Sequence, residues 1–211
     1  YFYNSCKHRS CPRCGGWETQ RWVQQQEQRL LPGPYYHIVL TLPVELNVLW
    51  LYNRGAFQNH LFGAAWKTLG GLFAETRWVG GVPGALMVFQ SWGETLNTHP
   101  HLHILVTAGG LNGEGQWIRA RQSYLFPAKL LTSRFRDTLL KRLGEALLRK
   151  RTMIIPRGLS SHHWRHIFHT LEEKNWHGHI QPPYGHPMGV IRYLAFYMRG
   201  GPISEDRLEY D

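Results

Sequence analysis

Two histidines separated by one leucine, His101-Leu102-His103, stand at the head of an apolar run, Ile104-Leu105-Val106. Side chains alternate across a strand, so both imidazoles project from one face and can hold a single metal ion together. Leu102, Ile104 and Val106 alternate to the other face, where they belong in a core. Pro100 cannot donate to a ladder and is expected at the first position of this strand. Glu94, His99 and His179 are the candidates for a third ligand. Glu94 ranks first, as a hard oxygen donor in the approach to the strand, ahead of His99, whose backbone Pro100 constrains. Two imidazoles and an oxygen donor leave positions open for a phosphate oxygen, where a divalent ion acts as Lewis acid and template.

Two further patterns carry chemistry. Tyr193-Leu-Ala-Phe-Tyr197 sets two phenols at i and i+4, which on a helix emerge from one face about a turn apart. Beside a metal, tyrosine can act as an oxygen nucleophile and leave a covalent intermediate; the alternative is an aromatic pair packed in a core. All three cysteines lie near the start, as Cys6-x4-Cys11-x2-Cys14 followed by Gly15-Gly16. The Cys11-Pro-Arg-Cys14 knuckle can bring two thiolates onto one Zn2+, with the glycines turning the chain behind it. An odd number of cysteines argues against a disulfide framework. His8 is the near neighbour able to complete a four-ligand set with Cys6, Cys11 and Cys14.

These residues need elements to position them. Residues 17–31 read as a Gln- and Glu-rich helix ended by Pro32-Gly33-Pro34, which marks a boundary between a partial zinc-binding segment with its linking helix, 1–31, and a catalytic domain, 35–211. Residues 35–42 read as a buried strand. Helical spacing follows over 44–52 and 54–77, with Phe57, Leu61, Ala64, Ala65, Leu69, Leu72 and Phe73 on one face. Residues 84–92 read as a strand joined by a short link to the histidine strand, hence its antiparallel neighbour. A tight turn and short strand are expected over 111–118, helices over 128–150 and 161–174, a last strand over 176–181 and a last helix over 188–199. The order predicts an α+β fold with a mostly antiparallel central sheet and helices packed on it.

The 211 residues carry a formal charge of +10, with nine Trp, ten Tyr and nine Phe interleaved among the cations. Cations displace counterions from phosphates and flat rings stack on bases, which suits single-stranded nucleic acid. On the helix over 128–150, Arg134, Arg136, Lys141 and Arg142 are candidate phosphate contacts; a solvated helix face is the other reading. No run is long and apolar enough for a membrane helix, and no charged-then-apolar signal opens the chain, so a soluble, cytoplasmic protein without a membrane partner is expected. The chain opens at Tyr1 and stops in a polar stretch, as expected of a piece of a longer protein.

Together, Cys6-x4-Cys11-x2-Cys14, His101-Leu-His103 and Tyr193-x3-Tyr197 followed by Arg199-Gly-Gly-Pro-Ile-Ser204 resemble the two-tyrosine HUH transposases of rolling-circle insertion sequences. The resemblance covers almost the whole chain, with the three motifs in the family's order. It implies an HUH-endonuclease fold behind a truncated zinc ribbon, and an enzyme that cuts and transfers single-stranded DNA at element ends and target. It further implies Mg2+ or Mn2+ at His101 and His103, Tyr193 and Tyr197 as nucleophiles forming a 5′-phosphotyrosine link, and Zn2+ at the N-terminal cysteines. An HUH replication initiator or relaxase-type nickase, and a non-catalytic zinc-ribbon nucleic-acid-binding module, are the alternatives.

Overall fold

The computed structural model describes Cys6 and residues 11–93, 95–120, 124–185 and 187–199, with 12–14 and 196–199 as backbone alone. Its centre is a four-stranded antiparallel sheet in the order β2-β3-β1-β6. The strands are β1 (Tyr35–Thr41), β2 (Ala85–Trp92), β3 (Thr98–Thr107) and β6 (Gly178–Ile180), while β4 (Gly109–Leu111) and β5 (Trp117–Arg119) form a separate two-stranded hairpin. The helices are α1 (Pro12–Glu27), α2 (Asn47–Tyr52), α3 (Arg54–Ala74), α4 (Ala128–Gly144), α5 (Ser161–Glu173) and α6 (Met188–Arg199). The α+β architecture with an antiparallel sheet is the one the element order predicts.

Register decides which residues share a face. His101 lies opposite Thr41 of β1 and Gln90 of β2, and His103 opposite Val39 and Val88. The two histidines therefore share a face with these neighbours, and Leu102 and Ile104 share the other with Leu40 and Ile38. That second face forms the main core against α3, α4 and α5, through Phe57, Leu61, Leu69, Leu72, Phe135, Leu139 and Trp164. All seven apolar positions expected to line α3 are buried there. The histidine face carries a smaller core in which Val88 and Leu105 meet Val190, Ile191, Leu194 and Ala195 of α6 and Trp22 of α1. β3 is thus covered on both faces, and its last eight residues are all buried.

Several boundaries differ from expectation. Pro100 is the third residue of its strand, not the first. The β2–β3 register shifts between Gln90 and Trp92, whose partners are His101 and Thr98. β3 holds one more residue than β2 across that gap, a bulge at the proline, which has no N–H to give the ladder. Helix α1 starts at Pro12 and runs through Gly15 and Gly16, which were expected to turn the chain. Proline suits a first helical position because its missing N–H would be unpaired there in any case. Helix α1 stops at Glu27 and α3 at Ala74, and the helix expected over 128–150 closes with a π-helical turn, Glu145–Arg149. The strand expected from Trp176 is reduced to three residues. Its first residue is Gly178, where a Cβ would overlap the Thr132 methyl of α4.

Candidate active site

The histidine pair lies on β3, between β2 and β1, with His101 at the last regular pair of both ladders. His101 is 9% exposed, His103 4%, and the facing Gln90 6%. The two imidazole centroids are 4.8 Å apart. A third histidine, His37 of β1, lies diagonally across from His103 on the same face, with stacked rings 5.2 Å apart. His103 has both ring nitrogens engaged: Nδ1 is 3.0 Å from His37 Nε2, and Nε2 is 3.0 Å from Gln90 Oε1.

Burial next to other imidazoles penalises the charged form. Desolvation first, then the neighbouring His101 and His37, push the His103 pKa down to about 3. Burial also lowers His101 and His37, against the hydrogen bonds to His99 O and to Gln181 that favour protonation. All three rings are therefore neutral at pH 7 and present lone pairs, the state a cation requires.

The donor set fits a small divalent ion. His101 Nδ1 donates to the carbonyl of His99 at 2.7 Å, so its single ring proton is on Nδ1 and Nε2 carries a lone pair. Adjacent octahedral donors about 2.1 Å from Mg2+ lie about 3.0 Å apart, and His103 Nε2 and Gln90 Oε1 are separated by 3.0 Å. Among the described residues no three His, Cys, Asp or Glu side chains group as a metal site. The oxygen donor beside the histidines is an amide, Gln90. Sequence reasoning missed it because the pairing of Gln90 with His101 depends on strand register. The available signal was a glutamine ending the apolar run Leu86-Met-Val-Phe in a strand next to the histidines. Of the residues named as third ligands, Glu94 lies outside the described residues. His99 is exposed and its carbonyl holds the His101 ring, while His179 sits exposed on the short edge strand β6.

Helix α6 lies over the histidine face, as the tyrosine motif requires. Val190, Ile191, Leu194 and Ala195 face the sheet and α1, which turns Tyr193 to the rim of the packed layer, 46% exposed. Its ring stands edge-on to His103, centroids 5.8 Å apart, and 6.3 Å from His37. Tyr193, His37, His103, Val39, Gln181 and Tyr184 line one cavity of about 430 Å³. Tyr197 follows one helical turn later, its side chain outside the described residues.

The remaining predicted residues are scattered. Cys6 is exposed and Cys11 half-buried before α1; His8 and the Cys14 side chain lie outside the described residues. Arg134 pairs with Glu75, and Arg136 with Asp137 at 2.8 Å and the Lys174 carbonyl at 3.2 Å. Lys141 and Arg142 border a cavity between α3 and α4 together with Lys67, Asp137 and Glu145. All four lie on α4, in the layer behind the sheet from the histidines.

The structure brings a sheet-borne histidine pair under a helix-borne tyrosine, and known proteins place the chain among transposases. Residues 84–210 match the family Y2_Tnp, described as "Putative transposase", and residues 1–42 match the IS91 transposase zinc-binding domain. The chain belongs to this transposase family. It is 31% identical over 210 residues to "Putative transposase y4qJ" of Sinorhizobium fredii, covering 98% of this chain and 53% of that protein. It is 34% identical over 216 residues to "Transposase for insertion sequence element IS801" of Pseudomonas savastanoi pv. phaseolicola, covering 100% of this chain and 50% of that protein. The chain spans about half the length of the curated relatives it matches. Among the described residues no helix is long and apolar enough to cross a membrane.

Proposed function

We propose that this chain is the catalytic part of a DNA transposase that cleaves and rejoins single-stranded DNA through a covalent phosphotyrosine. The observation that carries this is the exposed Tyr193 ring 5.8 Å from buried His103, in one cavity on the histidine face. A Mg2+ or Mn2+ ion held by His101, His103 and Gln90 would supply Lewis-acid polarisation of the scissile phosphate. Tyr193 Oη attacks phosphorus; the bond to the 3′-oxygen breaks, leaving a 5′-phosphotyrosine and a free 3′-hydroxyl. The phenol loses one proton and the departing oxygen gains one, so the exchange is neutral overall. A phosphodiester becomes another phosphodiester, so attack by a 3′-hydroxyl reverses the step without ATP. Tyr197, one turn along α6, would serve a second cleavage while the first strand end stays attached.

The division into a zinc-binding segment, 1–31, and a catalytic domain, 35–211, is part of this reading, with Cys6, Cys11, Cys14 and His8 on Zn2+. The match of residues 1–42 to a transposase zinc-binding domain supports the zinc assignment, and it extends past the boundary into β1. Lys141 and Arg142 would meet phosphates away from the reacting centre, since α4 lies behind the sheet. Arg134 ties α4 to Glu75 at the end of α3 through its ion pair, and Arg136 pairs with Asp137 within α4 and donates to the Lys174 carbonyl after α5.

The full-length protein, mixed with a labelled single-stranded oligonucleotide carrying an element end, should form an SDS-stable adduct with Mn2+, blocked by EDTA and lost in His101→Ala and His103→Ala. Folded protein that binds the oligonucleotide yet forms no adduct with any divalent ion would make it a non-catalytic binding module.

A further inference from the structure

We propose that His37 is a positioning residue which, together with Gln181, sets the tautomer of His103 and keeps His103 Nε2 unprotonated for the divalent cation. This rests on the reading of His101 and His103 as metal ligands.

The chain of contacts starts beyond β6. Gln181 N–H donates to the His37 carbonyl at 2.9 Å, continuing the β1–β6 ladder, and Tyr184 pairs with Tyr35 through two backbone bonds of 3.1 and 2.8 Å. Pro182 and Pro183 stiffen the link between these anchors. This backbone holds the Gln181 side chain against the His37 ring on the histidine face, with Gln181 Oε1 3.2 Å from His37 Nδ1. The Tyr184 hydroxyl donates to the same oxygen.

Polarity then follows atom by atom. An amide oxygen only accepts, so the proton of His37 lies on Nδ1. A neutral imidazole has one ring proton, which leaves His37 Nε2 an acceptor. Its neighbour at 3.0 Å, His103 Nδ1, must therefore donate. His103 Nε2 is left with a lone pair that faces Gln90 Oε1 at 3.0 Å. Two acceptors at that distance repel, so the Gln90 amide presents its NH2 to this lone pair until a cation takes the ring nitrogen and the amide oxygen as ligands. The opposite polarity, with the Gln181 amide turned over, would place a proton on His103 Nε2, where the cation belongs. His101 reaches the same Nε2-bare state by a shorter route, through the carbonyl of His99. His37 is 5% and His103 4% exposed, so protein partners and not bulk water decide the tautomer. Groups that orient a metal-bound histidine in this way affect metal affinity without touching the metal.

The test uses 15N-labelled full-length protein and Mn2+. In the metal-free wild type at pH 7.5, long-range 1H–15N spectra should show His103 as the Nδ1–H tautomer, and Gln181→Leu should move it to Nε2–H. Calorimetric Kd values for Mn2+ should rise about 10- to 100-fold in His37→Ala and in Gln181→Leu. Gln181→Glu, whose carboxylate can only accept, should keep or tighten binding. Thermal unfolding in EDTA checks that each variant is folded, and the wild-type spectrum decides the matter if His37→Ala is not. An Nε2–H tautomer in the wild type, or Mn2+ affinities of His37→Ala and Gln181→Leu within about threefold of wild type, would overturn the proposal. If His101→Ala and His103→Ala also leave Mn2+ binding unchanged, the metal-site reading itself fails; if they abolish it, only the role of His37 falls.

Discussion

Acidification should unfold this protein through its buried imidazoles before its carboxylates titrate. The His103 pKa lies at about 3 in the folded chain, against about 6.5 in the unfolded chain. Between these values the unfolded state binds more protons, so stability is complete above pH 6.5 and falls as the pH drops toward 3. From pH 7.5 to 5.5 the loss due to His103 alone is about 1.4 kcal/mol. His101 and His37, also lowered by burial, add losses of the same sign. Solvent screening reduces this little, because the ring is 4% exposed. Urea unfolding in EDTA at pH 7.5, 6.5 and 5.5 measures the slope, and His103→Asn, which cannot titrate, cancels every other group. The wild type should lose about 1.4 kcal/mol more than the variant over this range. Equal slopes for the two proteins would refute the claim that His103 is held neutral by burial.

Gln90→Leu removes the oxygen beside His103 Nε2 and should raise the Mn2+ Kd about tenfold or more, whereas Gln90→Glu should lower it; calorimetry on the full-length protein decides, and an unchanged Kd in Gln90→Leu would remove Gln90 from the site. Gly178→Ala drives a methyl into Thr132 and brings it 3.1 Å from Leu40 Cδ2, so it should cost about 1–3 kcal/mol in urea unfolding.

The residues that could be read in advance are those whose placement depends on local periodicity. Leu102, Ile104 and Val106 announce their face by alternation, and the apolar positions of α3 do so by helical spacing, so the histidine face and the main core followed from short windows of sequence. Gln90 and His37 could not be read this way. His37 joins the site through pairing of β1 with β3, strands distant in sequence, and Gln90 meets His101 at the last pair of the regular β2–β3 ladder, before the bulge. Helix α1 starts five residues before the stretch whose composition announces it, at Pro12, a residue suited to the first helical position. The cationic stretch of α4 was legible as charge but not as partner choice. Whether Arg134 meets a phosphate or Glu75 depends on where α3 ends.

The tyrosine standing over the buried histidines is the nucleophile we propose. Adducts formed between full-length protein, a single-stranded element-end oligonucleotide and Mn2+ can be digested and the modified peptide sequenced by mass spectrometry. The expected product is a 5′-nucleotide linked to Tyr193, with the adduct shifted to Tyr197 or lost in Tyr193→Phe. An adduct on a residue outside α6, or one that forms equally well with His101 and His103 both replaced by alanine, would contradict it.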